Sequence, residues 1–386
     1  MKALYNLVVL LAVVMTAFVA QSEGLNRCAA TGCTDICTGS DPEGSIFPHN
    51  LGSKIQIRSR FVEMGSEVVI PKFTYKKALG RTYRSKPVAH FLPGLEFAQP
   101  MGDDMVGGLK VVTHYGMGAK FPAIYYGMES ETLLSGTYLK PYLAKRLTDR
   151  LSIGGSIFAV WAQELWDAPF DVGRVPLPID THTEADGWGF GWEAGLFYEA
   201  TPKLSLGLSY MSAARCQLSG ETKIYLGPFG IKDKIKTEFK FPDKLGLQVG
   251  YRPAEDWLIV ADCAFTGYSS NSINPIISFQ NLGINKGLKL KWQDSVRFDL
   301  GVSRRLSEHW TVGGGVGWAS KAIPDATIDN LTPDVEGKCA GFRLKYSTEK
   351  AALTFAISKG WGSNKAGLRE VSAEVWTLGI NGTVRF

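Results

Sequence analysis

From residue 52 onward, hydrophobic and polar positions alternate with period two, in segments of about 10–15 residues. In 187–198, Trp188, Phe190, Trp192, Ala194, Leu196 and Tyr198 stand opposite Gly187, Gly189, Gly191, Glu193, Gly195 and Phe197. In 203–211, Leu204, Leu206, Leu208 and Tyr210 oppose Ser205, Gly207, Ser209 and Met211. In 296–305, Val296, Phe298, Leu300 and Val302 oppose Arg297, Asp299, Gly301, Ser303 and Arg305. Such runs are amphipathic strands. They are about twice the ~5–6 residues usual in soluble sheets and match the ~9–11 that cross a bilayer when tilted. The connections alternate too. Turns at 148–150, 201–203, 253–256 and 307–308 are short, whereas 117–133, 165–186, 218–236, 269–291, 322–337 and 362–371 read as long loops. Short turns at one end and long loops at the other define an outer-membrane barrel. The alternative for the aromatic face is the core of a soluble sandwich. The pattern predicts an all-β fold, a transmembrane antiparallel β-barrel of about 14 strands. The strands are expected at 53–73, 88–99, 104–116, 134–147, 150–164, 187–200, 203–217, 237–252, 255–268, 292–306, 308–321, 338–348, 351–361 and 372–386.

Composition sharpens this. Glycine supplies 43 of 386 residues and charged residues only 20 %, which suits two-sided strands. The net charge of +5 is spread along the chain, without the clustered basic face of a nucleic-acid binder. Lys2, the apolar run 7–20 and Ala20-Gln21-Ser22 read as a signal peptide over 1–22, so the chain is exported to the outer membrane. Residues 23–51 lack alternation and contain Cys, Gly and Pro. They are expected to form an N-terminal plug in the lumen, with a periplasmic tail as the alternative, and 52–386 to form the barrel. Three of the six cysteines, Cys28, Cys33 and Cys37, lie close together. With His49 they have the makings of a metal site, but an oxidising compartment favours a disulfide within the triplet, leaving one thiol over. No metal is expected.

The chain has no G-x-S-x-G, H-E-x-x-H or Walker loop, and its five histidines are scattered, so neither enzyme nor cofactor is expected. Uptake of an apolar compound draws on roughly 25 cal/mol per Å² of buried surface. Phe121, Tyr125, Tyr126, Trp166 and Phe170 are the candidate greasy residues, with an interfacial girdle as the other use of Trp166. Parity turns Lys110, His114 and Arg297 toward the lumen, as partners for a carboxylate or as ordinary polar lining. Gly107 and Gly108 sit paired inside a strand, where glycine marks a bend and hence an opening in the wall, or close packing against the plug.

Several segments resemble the FadL/TodX family of outer-membrane transporters for hydrophobic compounds. They are FAQPMGDDMVGGLKVVTHYGMGAKF at 97–121, LKPYLAKRLTDRLSIGGSIFAV at 139–160 and GWGFGWEAGLFYEATPKLSLGLSYMS at 187–212. FPDKLGLQVGYRPAEDWLIVADCAFTGYS at 241–269 and WQDSVRFDLGVSRRLSEHWTVGGGVGWASKAIPD at 292–325 follow in the same order. The resemblance implies a monomeric barrel of 14 strands with an N-terminal hatch, capture by outer loops, and lateral exit beside a kinked third strand. Its ligand would be a long-chain fatty acid or an aromatic hydrocarbon. The terminal Phe386, on an alternating strand, resembles the signal read by the barrel assembly machinery. The partners expected are thus a hydrophobic small molecule, outer-membrane lipid and that machinery. Family hatches usually carry Asn-Pro-Ala before the first strand; here Phe47-Pro48-His49-Asn50-Leu51 stands there. The loops at 165–186 and 218–236 look short for an outer capture groove. The alternatives are a general diffusion porin and a structural or adhesive surface barrel.

Overall fold

Alternation of this length pairs each strand with its neighbours and leaves no free edge once the sheet closes. The computed structural model describes residues 46–386 apart from 77–79, 126–127, 171–178, 227–228, 272–275, 288–290, 329–332 and 368. Nineteen strands form one antiparallel sheet. They are β1 (Phe61–Lys76), β2 (Thr82–Arg84), β3 (His90–Pro100), β4 (Met105–Tyr125), β5 (Met128–Arg146), β6 (Leu151–Phe170) and β7 (Ile179–Thr201). Then come β8 (Leu204–Met211), β9 (Ala214–Leu226), β10 (Phe229–Phe241), β11 (Lys244–Tyr251), β12 (Trp257–Thr266), β13 (Ile276–Phe279) and β14 (Ile284–Gly287). The last five are β15 (Ser295–Arg305), β16 (Trp310–Ala319), β17 (Gly337–Ser347), β18 (Ala351–Ala366) and β19 (Arg369–Arg385). β2 with β3, β8 with β9, and β10 with β11 are each one wall strand interrupted, and β13–β14 is a hairpin on an outer loop. The wall is therefore a closed barrel of 14 strands. It closes where β1 pairs β19 from Phe61↔Arg385 to Lys76↔Glu370.

The outward face settles what surrounds the barrel. Trp188, Phe190, Leu247, Phe298, Val316, Phe355, Leu378 and Ile380 are all exposed, on strands around the whole circumference. An apolar belt of that extent belongs in hydrocarbon. No helix among the described residues is long and apolar enough to cross a membrane; the strands do so.

Two expectations are corrected. The first strand begins at Phe61, not at residue 53, because 51–56 wind into a 3₁₀ helix inside the barrel. The loops expected at 117–133, 165–186 and 218–236 are largely ordered hairpins: β4–β5, β6–β7 and β9–β10 continue to 125/128, 170/179 and 226/229. Beyond the hydrocarbon the alternation loses its apolar half while the ladder runs on, so a search for greasy alternation stops too early.

Candidate functional site

The periplasmic half of the lumen is filled from below. Ile46, Phe47, Asn50, Leu51, Ser53, Lys54 and Ile55 are buried against the wall. Asn50 caps the 3₁₀ helix by accepting from Gly52 N at 2.9 Å. Its Nδ2 also donates to Leu196 O at 2.9 Å, Leu208 O at 3.2 Å and Gln248 Oε1 at 3.1 Å, binding the segment to three wall strands. The wall admits it through glycine. A Cβ on Gly195 would stand 2.4 Å from Asn50 Oδ1, and one on Gly154 would stand 2.3 Å from the Leu51 carbonyl carbon. Lys54 Nζ contacts Glu96 Oε1 at 2.6 Å, and Tyr142 donates to the same oxygen at 2.8 Å. A Cβ on Gly108 would stand 2.4 Å from the Tyr142 ring, so that glycine makes room for the ring that holds Glu96.

Above this seat lies a charged layer in which cations and anions match. Lys110 lies 3.7 Å from Glu96, and Lys140 2.7 Å from Glu193. Arg297 lies 2.5 Å from Asp299 and 3.7 Å from Asp262.

The outer half is apolar. One cluster joins Tyr138, Phe158, Val160, Ala162, Leu218, Ile235 and Phe241, and another joins Phe73, Tyr75, Phe121, Trp292, Ile323, Ile328 and Val335. Phe239 packs against both. A chain of rings results: Tyr268–Trp292 at 5.9 Å, Trp292–Phe239 at 6.3 Å, Phe239–Phe241 at 5.0 Å and Phe241–Tyr115 at 5.2 Å between centroids. At the outer mouth the connection after β16 folds inward with Ile323, Ile328 and Val335. The Asp334 carboxylate fastens it, accepting from Ala322 N at 2.6 Å and Ile323 N at 2.8 Å. Burial pushes the Asp334 pKa up to about 6, against the lowering effect of those backbone donors.

The chain of rings ends behind an interruption in the wall. β3 pairs β4 only from Gly94↔Val112 to Pro100↔Val106, and the next backbone link above is Lys86 N to Lys120 O at 2.8 Å. Residues 87–93 and 113–119 between these points form no ladder with each other. Pro87 and Pro93 have no N–H to offer there. On its other side β4 slips register against β5 between Thr113 and Tyr115, leaving His114 as the extra residue of a bulge. Tyr115 sits at this slip and packs into the Tyr138–Phe158–Phe241 cluster.

The residues singled out from sequence fall into distinct places. Phe121 is fully buried at the outer mouth, 6.4 Å from Phe73. Trp166 is half-buried on the outer extension of β6, paired with Thr132 and Thr183. Tyr125 and Phe170 end their strands at hairpin tips; Tyr126 lies outside the described residues. Lys110 and Arg297 are lumenal but ion-paired. Gly107 and Gly108 sit in a ladder continuous on both sides, with Gln99 and Leu143, and Ala98 and Tyr142. The interruption lies higher on the same strand. Cys28, Cys33 and Cys37 lie outside the described residues. Cys216 and Cys263 are free, and Cys339, on the lumenal side of β17, is disulfide-bonded. Phe386 is exposed at the periplasmic rim; its N donates to Arg60 O, and the Arg60 guanidinium lies 5.4 Å from its ring. Sequence reasoning missed Asn50, Tyr115 and Asp334. Nothing local marked Asn50 or Asp334, and Tyr115 was signalled only by its neighbour His114.

A barrel of 14 strands in an apolar belt, seated from below by its own chain and lined by rings above, defines a class: outer-membrane transport proteins. The profile of the family described as outer membrane protein transport protein (OMPP1/FadL/TodX) matches residues 56–378, and the chain belongs to that family. Among curated relatives, the long-chain fatty acid transport protein of Escherichia coli O6:H1 is 23 % identical over 334 residues, covering 72 % of this chain and 70 % of that one. The fold is shared with a Pseudomonas aeruginosa FadL homologue (TM-score 0.79, 14 % identity, 95 % of this chain and 98 % of that one). It is shared too with the Ralstonia pickettii toluene transporter TbuX (TM-score 0.75, 18 % identity, 91 % and 97 %).

Proposed function

We propose that this protein carries uncharged hydrophobic small molecules, monoaromatic hydrocarbons foremost, from the outer mouth to the interruption between β3 and β4, where they leave sideways into the membrane. The observation that carries this is the chain of rings from Tyr268 to Tyr115, which ends where the ladder lapses. Each ring offers the next apolar contact at 5–6.3 Å between centroids, so a ligand never has to cross water. Phe121 and Trp166 belong to the entry, with Tyr125 and Phe170 at the hairpin tips above them, and Tyr126 is assigned to the same capture role. Pairing of Lys110 and Arg297 with carboxylates favours a neutral ligand over a fatty acid, which would need a cation released from its partner. No step calls for a catalytic group. The reading includes a monomer inserted by the barrel assembly machinery with Phe386 as its terminal signal, and a plug extending back through 23–51. The plug is braced by a disulfide within Cys28, Cys33 and Cys37.

Deleting His114 removes the extra residue of the bulge and lets β4 run in register. Toluene uptake by cells expressing this variant should fall to near the background of cells lacking the protein, while heat-modifiable migration stays normal. Unchanged uptake in a folded variant overturns the lateral route. Faster uptake of palmitate than of toluene by the native protein overturns the choice of ligand.

A further inference from the structure

Hydrocarbon accounts for the apolar belt but not for one sector of its outer rim. Cross-strand register sets Trp318 of β16, Lys338 of β17, Trp361 of β18, Glu374 of β19 and Lys72 of β1 in one outward row. In the row below, Lys359 lies over Trp376 at 5.4 Å and reaches Glu374 at 3.4 Å. Arg84 of β2 stands beside Thr74, one outward position above Lys72. Lys72, Arg84 and Lys338 are exposed and make no ion pair among the described residues. They line an open cleft of about 970 Å³ together with Trp361 and Glu374.

The tryptophans fix the height of this row at the membrane–water interface. Its outward direction leaves only lipid as a neighbour. Three interstrand steps separate Lys338 from Lys72, roughly 14 Å at about 4.8 Å per step. An unpaired ammonium at such a place seeks a phosphate, and a point charge on a flexible stem suits it. The indole face of Trp361 between the cations suits a sugar ring. The far sector of the same rim is different. There Trp161 and Trp188 pair in register, and above them stand Asp186, Glu184 and Asp167, the last two against His182. Two exposed lysines without ion pairs among the described residues on one sector, and carboxylates gathered around a histidine on the other, are not the uniform dressing of a girdle.

We propose that the outer face of β16–β19, β1 and β2 binds a phosphorylated glycolipid of the outer leaflet, with Lys338 and Lys72 receiving phosphates at the two ends of a sugar headgroup stacked on Trp361. The site spans the β1–β19 closure, so its occupant would brace the seam from outside. It is independent of the route through the lumen.

The test uses the purified full-length protein in detergent, with bisphosphorylated lipid A and its dephosphorylated form as probes, and bound lipid counted by native mass spectrometry. The native protein should retain the bisphosphorylated form and not the dephosphorylated one. Lys72→Gln with Lys338→Gln should weaken retention by roughly fivefold per lysine, the worth of about one interfacial cation. Lys232→Gln with Lys236→Gln, on the β10 hairpin, should leave it unchanged. Equal retention of both lipids by the native protein overturns the proposal, and this comparison stands even if the double variant fails to fold. So does a folded Lys72/Lys338 variant that binds as the native protein does, an equal loss in the Lys232/Lys236 control, or displacement of the lipid by inorganic phosphate alone.

Discussion

The two halves of the lumen are closed by opposite physics. Below, the seal is directional: one asparagine binds three strands, and one buried lysine meets one glutamate. Above, the filling is a set of rings whose contacts have little directional preference. A directional seal fails as a unit, because removing one partner leaves the other buried and uncompensated. A ring-filled space tolerates change, because side chains shift and a guest ring replaces a resident one at similar energy. On the proposed route, sealing and conducting fall to different chemistries along one axis.

The contrast breaks most sharply at Glu96. Glu96→Ala strands Lys54 and the Tyr142 hydroxyl against the seat, a loss of about 3–5 kcal/mol for a broken buried pair. Single-channel conductance in planar bilayers should rise well above that of the native protein. A conductance equal to the native value would mean that Asn50 and the apolar contacts of Phe47 and Leu51 hold the seal alone. In the upper half, Phe241→Leu removes a ring between Phe239 and Tyr115 but keeps the site apolar. It should slow toluene uptake about fivefold, some 1 kcal/mol of lost contact, with ionic conductance unaltered. A rise in conductance would erase the division between the halves.

The smallest effect concerns the loop at the mouth. The Asp334 pKa is raised in the docked loop, so docking favours the protonated carboxyl. The loop should therefore be held most firmly below about pH 4, loosen as pH rises to about 6, and change little above. Protection from hydrogen exchange at Ala322 and Ile323, taken relative to the intrinsic rate at each pH, should fall across that window in the native protein but not in Asp334→Asn. An opposite slope would mean that the backbone donors, not burial, dominate at this carboxylate.

Much of the wall was legible because period-two alternation is local: β15 at 295–305 and β16 at 310–319 fall inside the spans expected at 292–306 and 308–321. The seat was not legible, because Asn50 meets Leu196, Leu208 and Gln248, partners 146 to 198 residues away that leave no trace in its neighbourhood. The interruption was half legible. Gly107 and Gly108 were chosen for flexibility, yet their ladder is whole and Gly108 gives space to Tyr142. The decisive residues were Pro87 and Pro93, whose missing N–H groups lie on the facing strand. A wall opens where a donor is absent more readily than where a side chain is small.

The seam between β1 and β19 has a consequence for when the molecule can form. Its ladder joins Phe61 to Arg385, nearly the full described chain apart, so the first wall strand waits for the last. Loop closure on that scale is slow, and until it happens β1 offers an unpaired edge. The protein must therefore be kept from folding while it crosses the periplasm and must then close in one late event, so a cell that stalls its export midway accumulates an adhesive ribbon rather than a smaller pore.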